Sequence, residues 1–585
     1  MDRHDPAPAG PLQSGYRFGE FRLEPDGMLS RGGVRIPLSA RELAALRLLL
    51  AQRGQVVTPA DLKQAVWPRE DIPPDAISKC IASLRKHLEP DDCIQTILKR
   101  GYRFSKEASA LGAELGARLP RVAILPFATS PGVPEFLGPT IAEGAADRLG
   151  DSVSILTKDS VSALIRRGFS PQQIGEELKA DYVLAGELRR VSSRYRLRVQ
   201  MISIEDHSEI WVEERLVDHT RWASLEIELP QLIALRLSGA GLSIFASGPE
   251  TQGQESRPEQ VEAYEIFARA RYEWHSLERH RMQDALQQLL RAVELDPGLE
   301  AARIDLVYLA VMQALSGFMP PAAAADTVRR VADGVTASRV REALLPALGW
   351  ISFHFDRNLP AALRSFARSA HLPYDPWIGR ARTGFALSRQ QFGEAIELLR
   401  SIIAVDPWSA WAHARLAWAN HLSGDAAASL PLAHAVLERF PEHEGAQLYG
   451  AIILAFNGES ARAIEVSQGL AQRTPSSDSA AAVHAYALAM AGRAEEAHGI
   501  LERLQWLSRE RYTMNTFAPA AYVALGELDQ ALRVLRESDE VRCPWFFQML
   551  ADPRLKPLRE RPEFQSMLGI LVGMEAGARQ NPVED

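Results

Sequence analysis

In the C-terminal half of this 585-residue chain, prolines, glycines and small residues recur every 34 residues. Prolines and glycines recur at that interval, at Pro373, Pro407, Pro441 and Pro475 and at Gly424, Gly458, Gly492 and Gly526. Small residues stand twelve positions before the prolines and continue beyond them, at Ala361, Ala395, Ser429, Ala463, Ala497 and Ala531. A fixed period of this length predicts stacked helical hairpins, because one hairpin alone cannot bury its apolar face.

A 34-residue period with a small residue at the helix crossing and proline after the second helix resembles the tetratricopeptide repeat. The resemblance implies an all-α solenoid over residues 261–570 with a concave groove. An earlier copy of the repeat contains Ala285 and Pro297, but its position does not fit the 34-residue spacing of the later copies. The terminal stretch RCPWFFQMLADPRLKPLRERPEFQSML resembles the last segment of such arrays and is expected to cap the solenoid.

Three side chains of the repeat beginning at Ala410 are candidates for binding a partner in that groove. They occupy groove-facing positions, at Trp411, Trp418 and His421. Tryptophan is enriched among the residues that dominate protein interfaces, which favours a partner anchor. Packing between repeats is the alternative for the tryptophans, and an ordinary surface histidine is the alternative for His421.

The N-terminal segment predicts short strands, three helices and a hairpin. Residues 16–39 alternate apolar and polar side chains with turns at Asp26-Gly27 and Gly32-Gly33. Helices are expected over 40–52, from Thr58-Pro59 to Trp67, and over 75–88. The third helix has a buried stripe of Ile77, Ile81, Leu84 and Leu88, with Arg85 near its edge as a structural ion-pair candidate. Residues 94–104 follow as two strands around a basic tip.

This order of elements resembles the winged helix-turn-helix domain of the OmpR/PhoB-type regulators. The resemblance is carried by IPLSARELAALRLLL, VVTPADLKQAVW, SKCIASLRKHLE and ILKRGYRF, the last of which contains the Gly-Tyr-x-Phe signature of that family. It implies an α+β domain at residues 15–106 whose third helix enters the major groove of promoter DNA. The hairpin then reaches an adjacent minor groove or the backbone.

The candidate DNA-binding residues lie on the face of the third helix opposite its buried stripe, on the second helix and on the hairpin. The third-helix candidates are Ser78, Lys79, Ala82, Ser83 and Lys86. The candidates for holding phosphates are Thr58, Lys63, Lys99, Arg100 and Arg103. Related regulators touch polymerase through the loop at 68–74, which makes Glu70 and Asp71 polymerase-contact candidates. A solvated surface side chain is the alternative at each position.

Charge is polarised toward this N-terminal segment. Residues 15–106 carry 16 Lys and Arg against 11 Asp and Glu, whereas the whole chain has a net charge of −8. A basic module on an acidic body is typical of DNA-binding proteins. Many members of the family carry arginines at the positions of Ala82 and Ser83 in this chain. We therefore expect few direct contacts between side chains of the third helix and the bases. Because the excess of positive charge over residues 15–106 is modest, we expect single copies to bind weakly and paired copies to act together.

Residues 120–246 read as β-α-β-α-β-β-β, which predicts an α/β domain with a mixed sheet. VAILPF, ADYVLAGELRR and IWVEER resemble the N-terminal module of TolB. Neither the Walker A pattern nor the Rossmann glycine fingerprint occurs in this region. Its carboxylates do not form a convincing catalytic pair, because strand alternation sends neighbouring side chains to opposite faces. A docking surface or a small-ligand sensor is the expected role.

Composition argues for a reduced, intracellular protein. The three cysteines, Cys80, Cys93 and Cys543, suit neither a disulfide framework nor a zinc site. No apolar run reaches membrane-spanning length, and the N-terminus lacks the apolar stretch of a signal peptide. We expect a cytoplasmic protein that has no membrane contact, no cofactor, no metal site and no catalytic site.

The sequence thus predicts a multidomain chain. Its parts are a winged helix at 15–106, a linker at 107–119, an α/β domain at 120–246, a linker at 247–260, helical repeats at 261–570 and a disordered tail at 571–585. The predicted function is a one-component transcriptional regulator, and specifically an activator, similar in layout to the virulence-type activators of bacterial secretion systems. It would bind promoter DNA, RNA polymerase and a protein partner or effector. The alternative is a non-enzymatic adaptor whose winged helix does not read DNA.

Overall fold

The structure is a computed structural model in which the chain forms two compact units, each described by itself below. The smaller unit is the N-terminal domain together with residues 151–154 and 227–249, and the larger unit holds most of the middle domain and the helical array. The described residues are 16–18, 21–23, 29–31, 34–51, 56–67, 73, 75–88, 93–97, 100–106, 109–110, 120–149, 153–156, 158–218, 225, 228–233, 257–274, 279–369 and 376–580.

The N-terminal domain combines two small antiparallel sheets with three helices. Its strands are β1 (Tyr16–Phe18), β2 (Phe21–Leu23), β3 (Leu29–Arg31), β4 (Val34–Ile36), β5 (Val56–Val57), β6 (Ile94–Ile97), β7 (Gly101–Phe104) and β8 (Ser109–Ala110). Its helices are α1 (Ala40–Ala51), α2 (Pro59–Val66) and α3 (Ala76–His87). The sheet orders are β4-β3-β2-β1-β8 and β5-β7-β6. Because β8 pairs with β1, part of the predicted linker at 107–119 belongs to this domain.

Capping side chains fix where the first two helices begin. Ser39 and Glu42 exchange hydrogen bonds across the first turn of α1, with the Ser39 amide donating to Oε2 of Glu42 at 2.7 Å. Thr58 and Asp61 do the same at the start of α2, ahead of the proline at its first position. Each pair satisfies amide groups that a helix leaves without an internal partner.

The middle domain is a mixed sheet with helices, as predicted. Its strands are β9 (Arg121–Ile124), β10 (Ala128–Thr129), β11 (Ser154–Ile155), β12 (Tyr182–Val191), β13 (Arg194–Ser203) and β14 (Glu209–Val217). Its helices are α4 (Leu137–Leu149), α5 (Lys158–Arg166) and α6 (Pro171–Glu177). The order is β11-β9-β12-β13-β14, in which β12 runs parallel to β9 and antiparallel to β13. Helix α5 was not foreseen from the sequence.

The C-terminal region is all-helical, which confirms the predicted repeat class. Its first helices are α7 (Pro258–Glu273), α8 (Arg279–Leu295), α9 (Glu300–Leu315), α10 (Pro321–Asp333), α11 (Ser338–Ala343), α12 (Leu345–His354), α13 (Leu359–Arg368), α14 (Pro376–Ser388) and α15 (Phe392–Val405). They are followed by α16 (Ala410–Leu422), α17 (Ala426–Arg439), α18 (Glu444–Phe456), α19 (Ser460–Arg473), α20 (Asp478–Met490) and α21 (Ala494–Glu510). The last elements are α22 (Ala518–Ala524), α23 (Leu528–Glu540), α24 (Phe546–Ala551), a 3-10 helix (Pro553–Leu558) and α25 (Pro562–Gln580).

Two predictions about the ends of this region need correction. The disordered tail predicted from residue 571 is wrong as far as Gln580, because α25 continues to that residue. The terminal stretch at 542–568 does not simply cap the last repeat, since it also contacts the early repeats, where the Trp545 indole donates to the carbonyl oxygen of Leu315 at 2.9 Å and the Gln548 side chain donates to the Ser388 hydroxyl at 3.3 Å. No helix within the described part of the chain is both long enough and apolar enough to cross a membrane.

The helix boundaries follow the same 34-residue spacing. The second helices of five successive hairpins begin at Phe392, Ala426, Ser460, Ala494 and Leu528. The predicted small residues are fully buried in these hairpins, at Ala395, Ser429, Ala463, Ala497 and Ala531. In the hairpin before them, Ala362 is buried instead of the predicted Ala361, because α13 begins one residue later than the 34-residue spacing requires. Pro373 lies outside the described residues.

The periodic glycines end the first helix of each hairpin. Gly424, Gly458, Gly492 and Gly526 all adopt a left-handed backbone, with φ between 76° and 87°. Gln390 takes the same conformation one period earlier, at a φ of 60°. The turn geometry is therefore maintained along the array even where glycine is absent, at a steric cost that glycine avoids.

The middle sheet and the array are joined through Trp408, in the loop between α15 and α16. Its indole N–H donates to Glu177 at 2.8 Å. Its ring also contacts the guanidinium groups of Arg167 and Arg439, whose Cζ atoms are 4.9 and 4.3 Å from the ring centroid. The hydrogen bond to Glu177 and the cation–π contact with Arg167 orient this loop against the middle domain.

We expect Ala463→Leu to lower the free energy of unfolding by about 1–3 kcal/mol, because the added carbons must enter a fully packed helix crossing. Ala461 lies two residues earlier on the exposed side of the same helix and provides the matched control. Ala461→Leu should change the same quantity by less than about 0.5 kcal/mol. Urea unfolding followed by tryptophan fluorescence measures both, and equal effects would contradict the assigned crossing.

Candidate nucleic-acid interface and repeat groove

The outer face of α3 is open to solvent, as its buried stripe requires. Ile81, Leu84 and Leu88 are buried in the domain core, while Ile77 packs at its edge. The opposite face exposes four of the predicted DNA-binding residues, at Ser78, Lys79, Ala82 and Lys86. Because two of these side chains are short and two are cationic, a nucleic-acid backbone can approach the helix closely.

Lys79 is paired within its own helix. Its Nζ lies 2.6 Å from Oδ2 of Asp75, and both side chains are more than half exposed. The hydrogen bond and the charge of Lys79 lower the pKa of the Asp75 carboxyl. Exposed pairs of this kind contribute little to stability, so Lys79 can exchange this carboxylate for a phosphate at small cost.

Ser83 differs from the other predicted residues of this face because it is half-buried and its hydroxyl is used inside the domain, and its place in the DNA groove stays a prediction. Its hydroxyl donates to Oε1 of Glu42 at 2.6 Å, and His87 Nε2 lies 3.6 Å from the same oxygen. Burial opposes ionisation of Glu42, but hydrogen bonds from Ser39 and Ser83 and the charge of His87 outweigh it, so the pKa of Glu42 is lowered. Glu42 therefore ties α1 to α3 and fixes the tilt of the outer face. The sequence feature that could have pointed to Glu42 is the spacing of Ser39 and Glu42, which is that of a helix-capping pair.

The wing is the hairpin of β6 and β7, which also pairs with β5. Arg100 is exposed at its tip, whereas Arg103 donates to the Gln95 side chain at 2.9 Å. Gly101 has a φ of 140°, and a Cβ there would lie 2.1 Å from the carbonyl oxygen of Val57. The glycine of the wing signature is thus required by the close approach of β5. Lys99 lies outside the described residues.

Arg85 attaches the wing to α3. Its Nε and Nη2 donate to the carbonyl oxygen of Ile94 at 3.0 and 2.7 Å, and Nη2 also donates to the Thr96 hydroxyl at 2.9 Å. The structure shows hydrogen bonds to the wing here, where the sequence suggested an ion pair. The helix and the wing are consequently held in one fixed arrangement on the same side of the domain.

The predicted phosphate contacts on α2 are exposed. The Thr58 hydroxyl donates to Asp61 at 2.7 Å while accepting from the Asp61 amide, so it already serves the helix cap. The hydrogen bonds that the hydroxyl and the amide of Thr58 donate to the Asp61 carboxylate lower the pKa of Asp61, whose negative charge stands beside the cap. Lys63 is exposed one turn later. Glu70 and Asp71, the polymerase-contact candidates, fall outside the residues that the structure describes.

At Trp418 and His421 the predicted partner groove is filled by the chain itself. Trp418 and His421 are buried, which corrects their placement as accessible anchors. The covering segment is residues 543–558, here called the C-terminal segment. Gln548 accepts from the Trp418 indole at 3.3 Å, and Asp552 Oδ1 lies 3.5 Å from His421 Nε2. Trp411 remains half-buried beneath the guanidinium of Arg380, which lies 5.0 Å from its ring centroid.

A buried charge cluster holds this segment in place. Burial alone would raise the pKa of Asp552, but the charge of Arg554 and the hydrogen bond with His421 outweigh it, so the pKa is lowered and Asp552 is ionised. Burial lowers the pKa of His421. Burial and the charge of Arg357 lower the pKa of His354 to about 3. The His354 ring lies edge-on to Phe353 and near the C-terminal segment.

We expect acid to destabilise the array partly through His354. Its folded pKa of about 3 is far below the ordinary value of 6.5. The stabilisation is therefore complete above the unfolded pKa and is lost as the pH falls from 6.5 toward 3. His354→Leu should show a smaller loss of unfolding free energy between about pH 7.5 and about pH 5.

Urea titrations at the two pH values measure this difference. His434→Leu is the control, because His434 is exposed and paired only at the surface. His354→Gln serves as a second variant that keeps a polar side chain at the site. If the wild type and both His354 variants lost the same free energy, the buried histidine would have no part in the acid response.

No cluster of three or more His, Cys, Asp or Glu that could hold a metal ion occurs among the described residues. The three cysteines, all of them described, are not joined to one another by a disulfide. Cys93 and Cys543 are buried, and burial raises the pKa of Cys80 and of Cys543. A raised pKa disfavours the reactive thiolate.

Residues 33–104 match the family described as "Transcriptional regulatory protein, C terminal". The chain is 22% identical over 303 residues to the transcriptional regulator HilA of Salmonella typhimurium, covering 51% of this chain and 53% of HilA. It is 26% identical over 309 residues to a Rhizobium meliloti protein named as a putative adenylate cyclase, covering 51% of this chain and 49% of that one. The chain thus spans about half the length of the curated relatives it matches.

Among solved structures, the chain is similar to a chain of the APC/C hetero-tetramer Cut9-Hcn1, with a TM-score of 0.39 and 13% identity over 61% of this chain and 66% of that one. The matched family covers α1 to α3 and the wing, the elements that build the exposed face. The N-terminal domain is therefore a winged helix-turn-helix domain of the OmpR/PhoB-type transcriptional regulators, carried by a chain that continues into a mixed sheet and tetratricopeptide-type repeats.

Proposed function

We propose that this chain is a sequence-specific DNA-binding regulator of transcription that acts in the cytoplasm and has no catalytic activity of its own. The observation that carries the proposal is the exposed face of α3, with Lys79 and Lys86 on it and the wing fixed beside it by Arg85. Such a face fits the major groove, and a cationic wing tip at Arg100 fits the adjacent backbone.

We place the polymerase contact on the loop that contains Glu70 and Asp71. We also propose that the helical array binds a protein partner or an effector, because helical repeats present large surfaces to other proteins. Access to Trp418 and His421 would require the C-terminal segment to leave, so Trp411 is the anchor candidate of the present structure.

A non-enzymatic adaptor is the second candidate, and one observation favours it. Among the described residues of the α3 face, the cations are Lys79 and Lys86, and Lys79 is already paired with Asp75. Selection of genomic DNA fragments on the purified full-length protein separates the two. Enrichment of a repeated motif supports the regulator that binds as paired copies, whereas no enrichment at moderate salt supports the adaptor.

We expect Lys79→Ala with Lys86→Ala to weaken binding to all sites alike if these side chains contact phosphates. The slope of log affinity against log salt should fall by about one for each phosphate that a lysine no longer neutralises. Fluorescence anisotropy with a selected DNA fragment at several salt concentrations gives that slope. Lys556→Ala, which removes an exposed lysine of the array, should leave it unchanged. An unchanged slope in the double variant would show that another face meets the DNA.

We expect Glu70→Gln with Asp71→Asn to lower transcription from a target promoter while leaving DNA affinity unchanged. The reason is that the charges of this loop would contact polymerase and not the duplex. Transcription in vitro and anisotropy on the same promoter fragment measure the two quantities separately. Glu438→Gln, an exposed carboxylate of the array, is the control. A loss of DNA affinity in the double variant would contradict the assignment of Glu70 and Asp71 as polymerase contacts.

A further inference from the structure

Ala82 lies in the middle of the exposed face of α3. Ser78 and Lys86 stand one helical turn before it and after it, and Lys79 adjoins it three residues earlier. All four side chains are exposed, whereas Ile81 beside them is buried in the domain core. A helix that enters the major groove along this face therefore presents Ala82, with its short side chain, directly to the base edges.

The hydrogen-bond donors around Ala82 are already engaged inside the domain. The Ser83 hydroxyl donates to a carboxylate of α1 at 2.6 Å. The Arg85 guanidinium donates to a carbonyl oxygen of the wing at 3.0 and 2.7 Å. The Ser78 hydroxyl donates to a backbone carbonyl oxygen three residues earlier, at 2.9 Å. These donor hydrogens would reach a base only if a contact within the domain were broken.

The two lysines of the face suit phosphates better than bases. Lys79 holds its ammonium 2.6 Å from the Asp75 carboxylate, at the start of the helix, and Lys86 is exposed near its end. A point charge on a flexible stem can reach a phosphate on either side of the groove, and such contacts carry no sequence information. The middle of the face is thus left to the methyl group of Ala82.

A methyl group distinguishes one base in the major groove. The base edges there present hydrogen-bond donors and acceptors, and the apolar group among them is the C5 methyl of thymine. Contact between two methyl groups removes both from water, whereas a methyl group placed against a donor or an acceptor leaves that polar group without a partner. The centre of the α3 face is therefore complementary to thymine.

We infer that Ala82 reads a thymine within the site that one copy of the protein binds, through contact between its Cβ methyl and the C5 methyl of the base. The inference rests on the proposed function, because it requires α3 to lie in the major groove. It deepens that function by naming the base that is read and a contact that needs no hydrogen bond. The lysines then supply affinity, and Ala82 supplies sequence preference.

Replacement of single thymines by deoxyuridine tests the inference, because uracil lacks only the C5 methyl group. The probe is the genomic DNA fragment that the full-length protein enriches most, with each thymine of its repeated motif replaced in turn. At the position that Ala82 reads, the replacement should weaken binding of the wild type about fourfold, as expected when one methyl group loses apolar contact. Fluorescence anisotropy at one fixed salt concentration measures the affinities.

Ala82→Gly removes the methyl group on the protein side and should bind the thymine and uracil fragments with about equal affinity. Comparing two fragments with one protein cancels any loss of helix stability that glycine causes. Ala82→Ser is a second variant, which keeps Cβ but places a hydroxyl on it, and it should also lower the ratio. Ala60→Gly is the matched control, because Ala60 is an exposed alanine of α2. It should retain the wild-type ratio.

The inference is overturned if no single uracil replacement weakens binding of the wild type, or if Ala82→Gly keeps the wild-type ratio of the two affinities. Both of these results require an enriched motif, so they would leave the proposed DNA-binding function standing. If the full-length protein enriches no motif, the inference and the proposed function fail together.

Discussion

A helical hairpin of this array buries one face against its neighbours and turns another face inward, and at Trp418 that inner face is apolar and is covered by the chain itself. Trp418 is among the largest fully buried side chains of the protein, although it stands at a position that faces the groove of a repeat. What covers it is the C-terminal segment, through Gln548 and the buried pair of Asp552 and Arg554. The array is therefore completed by a piece of chain that is distant in sequence.

The middle domain depends on the same array. Ser160 donates to Asp406 at 2.5 Å in a buried site, and Arg121 donates to the carbonyl oxygen of Val405 at 2.5 Å. At the other end, Arg271 of α7 forms two hydrogen bonds with Asp305 and a third with Asp147 of α4. Buried charged groups are costly unless they are fully paired, so these contacts require both parts to be folded together.

Features that repeat or that act within a few residues could be predicted from the sequence. The 34-residue period predicted the helices and the glycine turns between them, and the helical stripe predicted the open face of α3. The prediction that Ala361 lies at the buried helix crossing was wrong, because α13 begins one residue later than the 34-residue spacing requires. A fixed period cannot show such a shift. The burial of Trp418 and the use of Ser83 by Glu42 were missed because each depends on a contact between residues far apart in sequence.

Early and late repeats are tied to one another directly. Arg279 at the start of α8 lies 3.6 Å from Asp478 at the start of α20, and the Trp545 indole donates to the carbonyl oxygen of Leu315 at 2.9 Å. Solenoids whose repeats contact only their neighbours can gain or lose a unit and still stack. In this protein, inserting or deleting one 34-residue unit would pull these partners apart. The contacts between early and late repeats therefore constrain the number of repeats in this array, in a way that contacts between neighbours alone would not.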